Sequence, residues 1–259
     1  MTTRDRRQVF GEVADDYDRL RPGYPARLVD DLLAAAGPGP VLEVGAGTGK
    51  ATVAFAARGA DLTCIEPDPR MAGLLRRNVP GARVVVSPFE RWQPDRGYGL
   101  LVSAQAWHWV DPERRTELAW AALAPGGLFA PFWNVFLITD PALHAALAEV
   151  DARHGLLDHT SHRFLARDFP DLGSFEEEWP ELGLTGDRFT DLTTRRYEST
   201  LMSYPSESYR AYLLSTSIYR VQEPGRAEAA LADTVAVIDA HGGVIDFEVR
   251  TDVVLARRR

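Results

Sequence analysis

A chain of 259 residues with 45% hydrophobic and 25% charged side chains carries enough apolar surface for one substantial core and has no compositional sign of disorder. Its net charge of -8 sets it against a nucleic-acid partner, because gripping a phosphate backbone takes clustered Lys and Arg. The single Cys64 excludes an internal disulfide, and together with a polar, charged N-terminal stretch it predicts a cytoplasmic protein.

The first 35 residues read as two helices joined by RPGYP, whose two prolines force an extended turn. From Pro40 onward, short apolar runs alternate with amphipathic stretches, the pattern of βαβ units on a parallel sheet. Strands are predicted at 40–44, 60–66, 82–87, 98–105 and 127–134, and helices at 48–58, 69–78 and 112–123, the last stopped by APGG. The uncharged run 118–139 is long enough to cross a bilayer, but Pro125, Gly126, Gly127 and Pro131 break it into a helix end, a turn and a buried strand. No membrane span is expected. Residues 139–185 read as a mostly helical cap insertion, 188–201 as a strand, 206–217 and 226–241 as helices, and VIDFEVRTDVVLARR as a closing strand that pairs antiparallel. The organisation is therefore a core at 1–138, a cap at 139–185, and completion of the core sheet with additional helices at 186–259.

The stretch VLEVGAGTGK, 41–50, is the first place where chemistry is legible. A phosphate-binding P-loop ending at Lys50 requires Gly at position 44 and Ser or Thr at 51; the chain has Val44 and Ala51. A dinucleotide fingerprint requires its third Gly at position 50, where Lys50 stands. What remains is GxGxG preceded by Glu43, a pattern that any tight strand-to-helix turn shares. Its context narrows it. The loop leaves the first strand at the carboxyl edge of the sheet, where open α/β sheets bind ligands. Glu66, nineteen residues after Gly47, ends the second strand at the distance where an acid takes the hydroxyls of a ribose.

With VLEVGAGTG, Glu66 and Pro67, SPFE at 87–90 and LAPGGLF at 123–129, the sequence resembles the class I S-adenosylmethionine-dependent methyltransferases. FGEVADDYDRLRPGYP and QAWHWVD resemble more narrowly the small-molecule group that includes trans-aconitate methyltransferases. The resemblance implies a Rossmann-like, mostly parallel seven-stranded α/β sheet with helices on both faces, an antiparallel final strand and a helical cap. It implies S-adenosylmethionine as cofactor, with S-adenosylhomocysteine as product. Gly45, Ala46, Gly47, Thr48 and Gly49 would approach the methionine part of the cofactor, Glu43 would lie near its ammonium, and Glu66 would bind the ribose. Pro67 and Met71 would face adenine, Pro88, Phe89 and Glu90 would belong to the segment at its edge, and Gln105 and Ala106 would pass the sulfonium. Tyr17 and Arg21 are candidates for closing over the cofactor, Arg21 being suited to a carboxylate.

His108, between Trp107 and Trp109 at the end of the fourth strand, is where a general base would sit if the acceptor carries a proton. Tyr24, Trp107, Trp109 and Trp133 are the substrate-side candidates, and Phe136, Trp179 and Tyr204 extend a possible aromatic lining, with the ordinary core as the competing role. Arg163 and Arg167 are further candidates for an anionic substrate. The remaining histidines, including the pair His159 and His162, have no spaced Cys or carboxylate partners, so no metal is expected. The expected function is methyl transfer to a small molecule, most naturally at a carboxylate or hydroxyl oxygen, by a monomer or homodimer. Transfer to nitrogen or carbon on the same fold, or cofactor binding without transfer, are the alternatives.

Overall fold

The structure is a computed structural model that describes residues 10–156, 182, 184, 186–197 and 201–259. His159, His162, Arg163, Arg167, Trp179 and most of the expected cap lie outside the described residues.

Among the described residues, eight strands form one mixed sheet: β1 (Val41–Val44), β2 (Leu62–Glu66), β3 (Arg83–Val86), β4 (Tyr98–Ala104), β5 (Leu123–Ile138), β6 (Phe189–Tyr197), β7 (Leu201–Pro205) and β8 (Val244–Arg258). Their order is β3-β2-β1-β4-β5-β8-β6, with β7 also pairing β8. β1 and β2 are buried along their whole length, as strands covered by helices on both faces must be, and this is why VLEV and LTCIE read as continuous apolar runs broken only by Glu43, Thr63 and Glu66. The pairs β2·β3, β1·β2, β1·β4 and β4·β5 are parallel, and β6 and β7 run antiparallel to β8.

The helices are α1 (Ala14–Leu20), α2 (Ala26–Ala36), α3 (Thr52–Ala56), α4 (Pro69–Asn78), α5 (Arg115–Ala122), α6 (Pro141–Arg153), α7 (Ser206–Leu214), α8 (Ser217–Arg220) and α9 (Pro224–Ala240). The best defined starts follow local chemistry. Asp68 caps α4 by accepting from Arg70 N, Asp140 caps α6, and Glu223 caps α9, each followed by a proline that fits the first turn, where its missing N–H costs nothing. Met71, Ala72, Leu74 and Leu75 give α4 one buried face. None of the described helices is long and apolar enough to cross a membrane.

Two expectations change. Among the described residues the sheet has eight strands rather than seven, because Leu201–Pro205, between the strand expected at 188–201 and the helix expected at 206–217, pairs with β8 as a further strand, β7. The APGG expected as a turn lies inside β5: Tyr98 pairs Leu123, and Leu100 next pairs Leu128, so residues 124–127 bulge opposite Gly99 while the strand continues.

The chain divides into two compact units. One holds Pro22–Asn134, Phe189–Tyr197 and Thr251–Arg259; its two apolar clusters lie on the faces of β1 to β5 and include Leu28, Phe55, Cys64 and Phe132 in one, and Ile65, Trp107, Phe129 and Val254 in the other. The second holds 10–21, 135–156 and 201–250, and its core is aromatic, with Tyr209 stacked on Tyr212 at 5.7 Å and Phe247 beside both Tyr204 and Tyr209.

Candidate cofactor site

β1 ends in register with β2, Val44 opposite Ile65, and the chain then turns sharply. Gly45 N and Ala46 N both donate to Ile65 O, at 2.8 and 3.2 Å. Gly45 (φ +70°) and Gly47 (φ +58°) occupy the left-handed region that side chains disfavour. A Cβ at Gly45 would overlap the Ala106 methyl group, so the turns leaving β1 and β4 touch with no side chain between them.

Glu66 closes this loop from the end of β2. Its Oε2 accepts from Gly47 N at 2.8 Å and its Oε1 from Asp68 N at 2.9 Å. Each oxygen retains acceptor capacity, so the carboxylate can still take two hydroxyl donors, the demand of a ribose diol. Burial dominates its ionisation and pushes the pKa up to about 7, against the opposing pull of the two backbone N–H groups. Met71 lies beside the loop: a Cβ at Gly47 would sit 3.7 Å from Met71 Cε. Thr48 is buried, its hydroxyl has no hydrogen-bond partner among the described residues, and Asn78 Nδ2 donates to its carbonyl at 2.9 Å. Ala46 is packed in the core, Lys50 stands in the turn before α3, and Pro67 is exposed. A loop in which Gly45 and Gly47 leave the backbone open, an acid with spare acceptor capacity and a buried unsatisfied hydroxyl together fit an adenosyl ligand.

Glu43, expected near the ammonium of the methionine part, is held within the protein. It is 1% exposed, and Thr52 Oγ1 donates to its Oε2 at 2.6 Å. The side chain anchors the start of α3, and burial raises its pKa to about 7. Cys64 is buried nearby, its thiol pushed well above the usual range by burial and by Glu43.

The segment expected at the adenine edge is also engaged within the protein. Pro88 is exposed at the start of a short 3-10 turn, Phe89–Arg91. The Phe89 ring is buried against Trp92 and Trp107, at 6.0 and 6.2 Å, and Glu90 Oε1 accepts from Asp111 N at 2.8 Å. Glu90 thereby ties this turn to the end of the WHW segment.

β4 leaves the sheet through Gln105, whose φ of 59° is an uncommon conformation for a non-glycine residue. Its N donates to Phe132 O and its Nε2 to Asn134 O, both at 2.9 Å. The 3-10 turn Trp107–Trp109 follows. Trp107 is a correction: it is wholly buried, its ring lies 4.7 Å from Phe129, and its Nε1 donates to Leu182 O at 2.8 Å, so it is a core residue and not a pocket wall. His108 is exposed and its ring lies 4.6 Å from that of the half-buried Trp109. Tyr24 meets Phe132 edge-on at 4.8 Å, and Trp133 is half-buried against the core cluster that contains Phe129.

In the second unit, the Arg21 guanidinium lies over the Tyr212 ring at 4.3 Å and the Tyr17 ring at 5.2 Å, and it donates to Tyr212 OH at 2.9 Å. Its Nε is buried without a hydrogen-bond partner among the described residues. Phe136 and Tyr204, considered for a lining, are buried in the aromatic core, where Tyr204 OH donates to Leu20 O. His154 pairs with Asp233 at 2.8 Å and His241 Nδ1 lies 2.8 Å from Val237 O. Among the described residues, no group of three or more His, Cys, Asp or Glu side chains is gathered as a metal would require.

A parallel β3-β2-β1-β4-β5 order with a glycine loop after β1 and an acid ending β2 defines the class I methyltransferase fold. Residues 41–127 match the family model of a methyltransferase domain. The chain is 39% identical over 132 residues to an uncharacterised methyltransferase of Mycobacterium tuberculosis, covering 51% of this chain and 54% of the relative, and it matches one of Mycobacterium bovis equally. The chain thus spans about half the length of the curated relatives it matches. Its fold is similar to a structure from Anaeromyxobacter dehalogenans assigned as a type II methyltransferase (TM-score 0.57, 22% identity, 92% of this chain and 96% of that one). It is also similar to a methyltransferase from Thiobacillus denitrificans in complex with S-adenosyl-L-homocysteine (TM-score 0.52, 14% identity, 96% and 97% covered). At these identities the likeness is one of fold.

Proposed function

We propose that the protein is an S-adenosylmethionine-dependent methyltransferase that acts on a small molecule, at a carboxylate or hydroxyl oxygen. The observation that carries the reading is the closure of the glycine loop on Glu66, Gly47 N to Glu66 Oε2 at 2.8 Å, which leaves an anionic acceptor beside a backbone cradle. The bound S-adenosylhomocysteine of the Thiobacillus structure supports the choice of ligand.

The cofactor supplies a methyl group already activated on a sulfonium. The chain's residues then have to bind, align and exclude water, and alignment alone supplies about 7–11 kcal/mol in favourable cases. Gly45 to Gly49 would hold the methionyl part, Glu66 the ribose, and Met71 and Pro67 an adenine face, while Gln105 and Ala106 border the reacting end. Tyr17 and Arg21 would serve an anionic carboxylate, whether of cofactor or acceptor; the guanidinium fork matches that group. Tyr24, Trp109 and Trp133 are the remaining acceptor-side residues. A carboxylate acceptor is ionised at neutral pH and needs no base, so His108 would act as base only for a proton-bearing acceptor. The compartment we propose is the cytoplasm, with the protein a monomer or homodimer.

Calorimetric titration with S-adenosylhomocysteine and with reduced nicotinamide cofactors tests the ligand: binding of the second and not the first refutes the reading. A labelled-methyl screen over small carboxylic acids, phenols and amines then finds the acceptor. With a carboxylate acceptor, His108→Ala keeps the rate within about threefold; a loss of about 100-fold or more identifies His108 as a base.

A further inference from the structure

Asn134, which no sequence motif marks, joins three separate segments. It lies on β5 two residues beyond the last pair with β4, Ala104 with Phe132, and is 8% exposed. Its main-chain O accepts from Gln105 Nε2 at 2.9 Å. Its Nδ2 donates to Gly23 O at 3.0 Å, in the extended RPGYP turn, and its Oδ1 accepts from Thr251 Oγ1 at 2.6 Å, on β8. The Gly23 carbonyl can only accept, so the amide NH2 must face it and the amide oxygen must face Thr251. Thr251 is wholly buried, which makes that end of the clamp immobile.

Two features of the candidate site hang on this junction. Gln105 is held at φ 59° by Phe132 O and Asn134 O, and the next residue, Ala106, presses its methyl group where a Gly45 Cβ would be. A left-handed non-glycine residue persists only where its surroundings over-determine it, and Asn134 supplies one of the two anchors. The other feature is Tyr24, adjacent to Gly23, whose ring meets Phe132 edge-on.

We infer that Asn134 is a positioning residue: its amide, held between Gly23 and Thr251, fixes the place of the main-chain oxygen that Gln105 Nε2 meets and so the contact of Ala106 with the glycine loop, and through Gly23 it sets the placement of Tyr24. The inference rests on the adenosylmethionine reading of that loop. No other side chain of this size presents an amide donor and an acceptor on one planar group, so Asp, Leu or Ala cannot reproduce both anchors.

The test uses the full chain with Asn134→Ala, Thr251→Val and, as a control for lost core packing, Val254→Ala, a wholly buried residue on the same strand that makes none of the clamp's hydrogen bonds. S-adenosylhomocysteine affinity, melting temperature and amide hydrogen exchange are measured for each. Asn134→Ala is expected to weaken S-adenosylhomocysteine binding about tenfold and to speed exchange of the peptides covering 22–26 and 103–107. Thr251→Val, which removes one anchor, is expected to weaken binding about threefold with the same exchange signature. Val254→Ala is expected to lower the melting temperature and change neither. Binding by Asn134→Ala within twofold of the parent, or equal loss in Val254→Ala, overturns the proposal. If the parent itself binds no S-adenosylhomocysteine, the cofactor reading falls, and the exchange of 22–26 and 103–107 then decides on Asn134: acceleration in the clamp variants alone upholds it, and unchanged exchange refutes it.

Discussion

Replacing Glu66 by Gln changes one atom of the residue that closes the glycine loop, and the effect should depend on pH. In the parent, both carboxylate oxygens accept backbone N–H groups, from Gly47 and from Asp68. A glutamine offers one oxygen, so one of those donors would face an NH2 group, and the anionic acceptor for a ribose is gone. A hydrogen bond to a charged group contributes roughly 1.5–3 kcal/mol, and each 1.4 kcal/mol is tenfold, so S-adenosylhomocysteine affinity should fall about 10- to 150-fold at pH 8. Burial holds Glu66 at a pKa of about 7. At pH 6 only about a tenth of the parent carboxyl is ionised, and the advantage over the glutamine variant should shrink about tenfold. Glu43 titrates in the same range, so Glu43→Gln, which removes that charge and alters the contact with Thr52, is the necessary control. Calorimetry at pH 6 and pH 8 reads the affinities, and a thermal melt verifies folding. A Glu66→Gln protein that binds within threefold of the parent at pH 8, or is weakened equally at both pH values, refutes the reasoning.

The same two carboxyls make the unliganded fold sensitive to pH. Both have folded pKa values raised from 4.5 to about 7, so between those values the folded chain holds more protons than the unfolded one and stability falls as pH rises, by at most about 3 kcal/mol for each group. Denaturant titrations at pH 5 and pH 8 measure this, and a more stable protein at pH 8 contradicts it. Gly45→Ala combines a left-handed φ with overlap of the Ala106 methyl group and should cost roughly 2–5 kcal/mol; a loss under about 1 kcal/mol in urea unfolding would mean the two turns can separate. Trp107→Ala empties a wholly buried site and should cost about 3–5 kcal/mol; if stability is instead preserved and acceptor affinity lost, Trp107 faces the pocket after all.

By itself the sequence determined the alternation of strands and helices, the position of the glycine loop and the acid that closes it. These are local or short-range properties. Apolar runs bounded by turn residues at 41–44 and 62–66 mark buried parallel strands, Asp68 followed by Pro69 marks the start of α4, and Gly45 and Gly47 mark backbone that side chains cannot follow. Glu66 was legible because the spacing of a βαβ unit fixes where its second strand ends. The tertiary structure decided which way side chains point and what they meet. Glu43 and Glu66 are both buried acids on neighbouring strands, yet Glu43 meets Thr52 at the start of α3 while Glu66 meets Gly47 in the loop, a difference set by what packs beside each and not by composition. Trp107 and Trp109 are equal in the sequence, but a single 3-10 turn puts one in the core and leaves the other half-exposed. The bulge that keeps APGG inside β5, the pairing of β7 with β8, and the junction of Asn134 with Gly23 and Thr251 all depend on partners far along the chain. A strand's register and an amide's two partners are chosen by what packs beside them, and that information is spread over the whole chain rather than written at the residue.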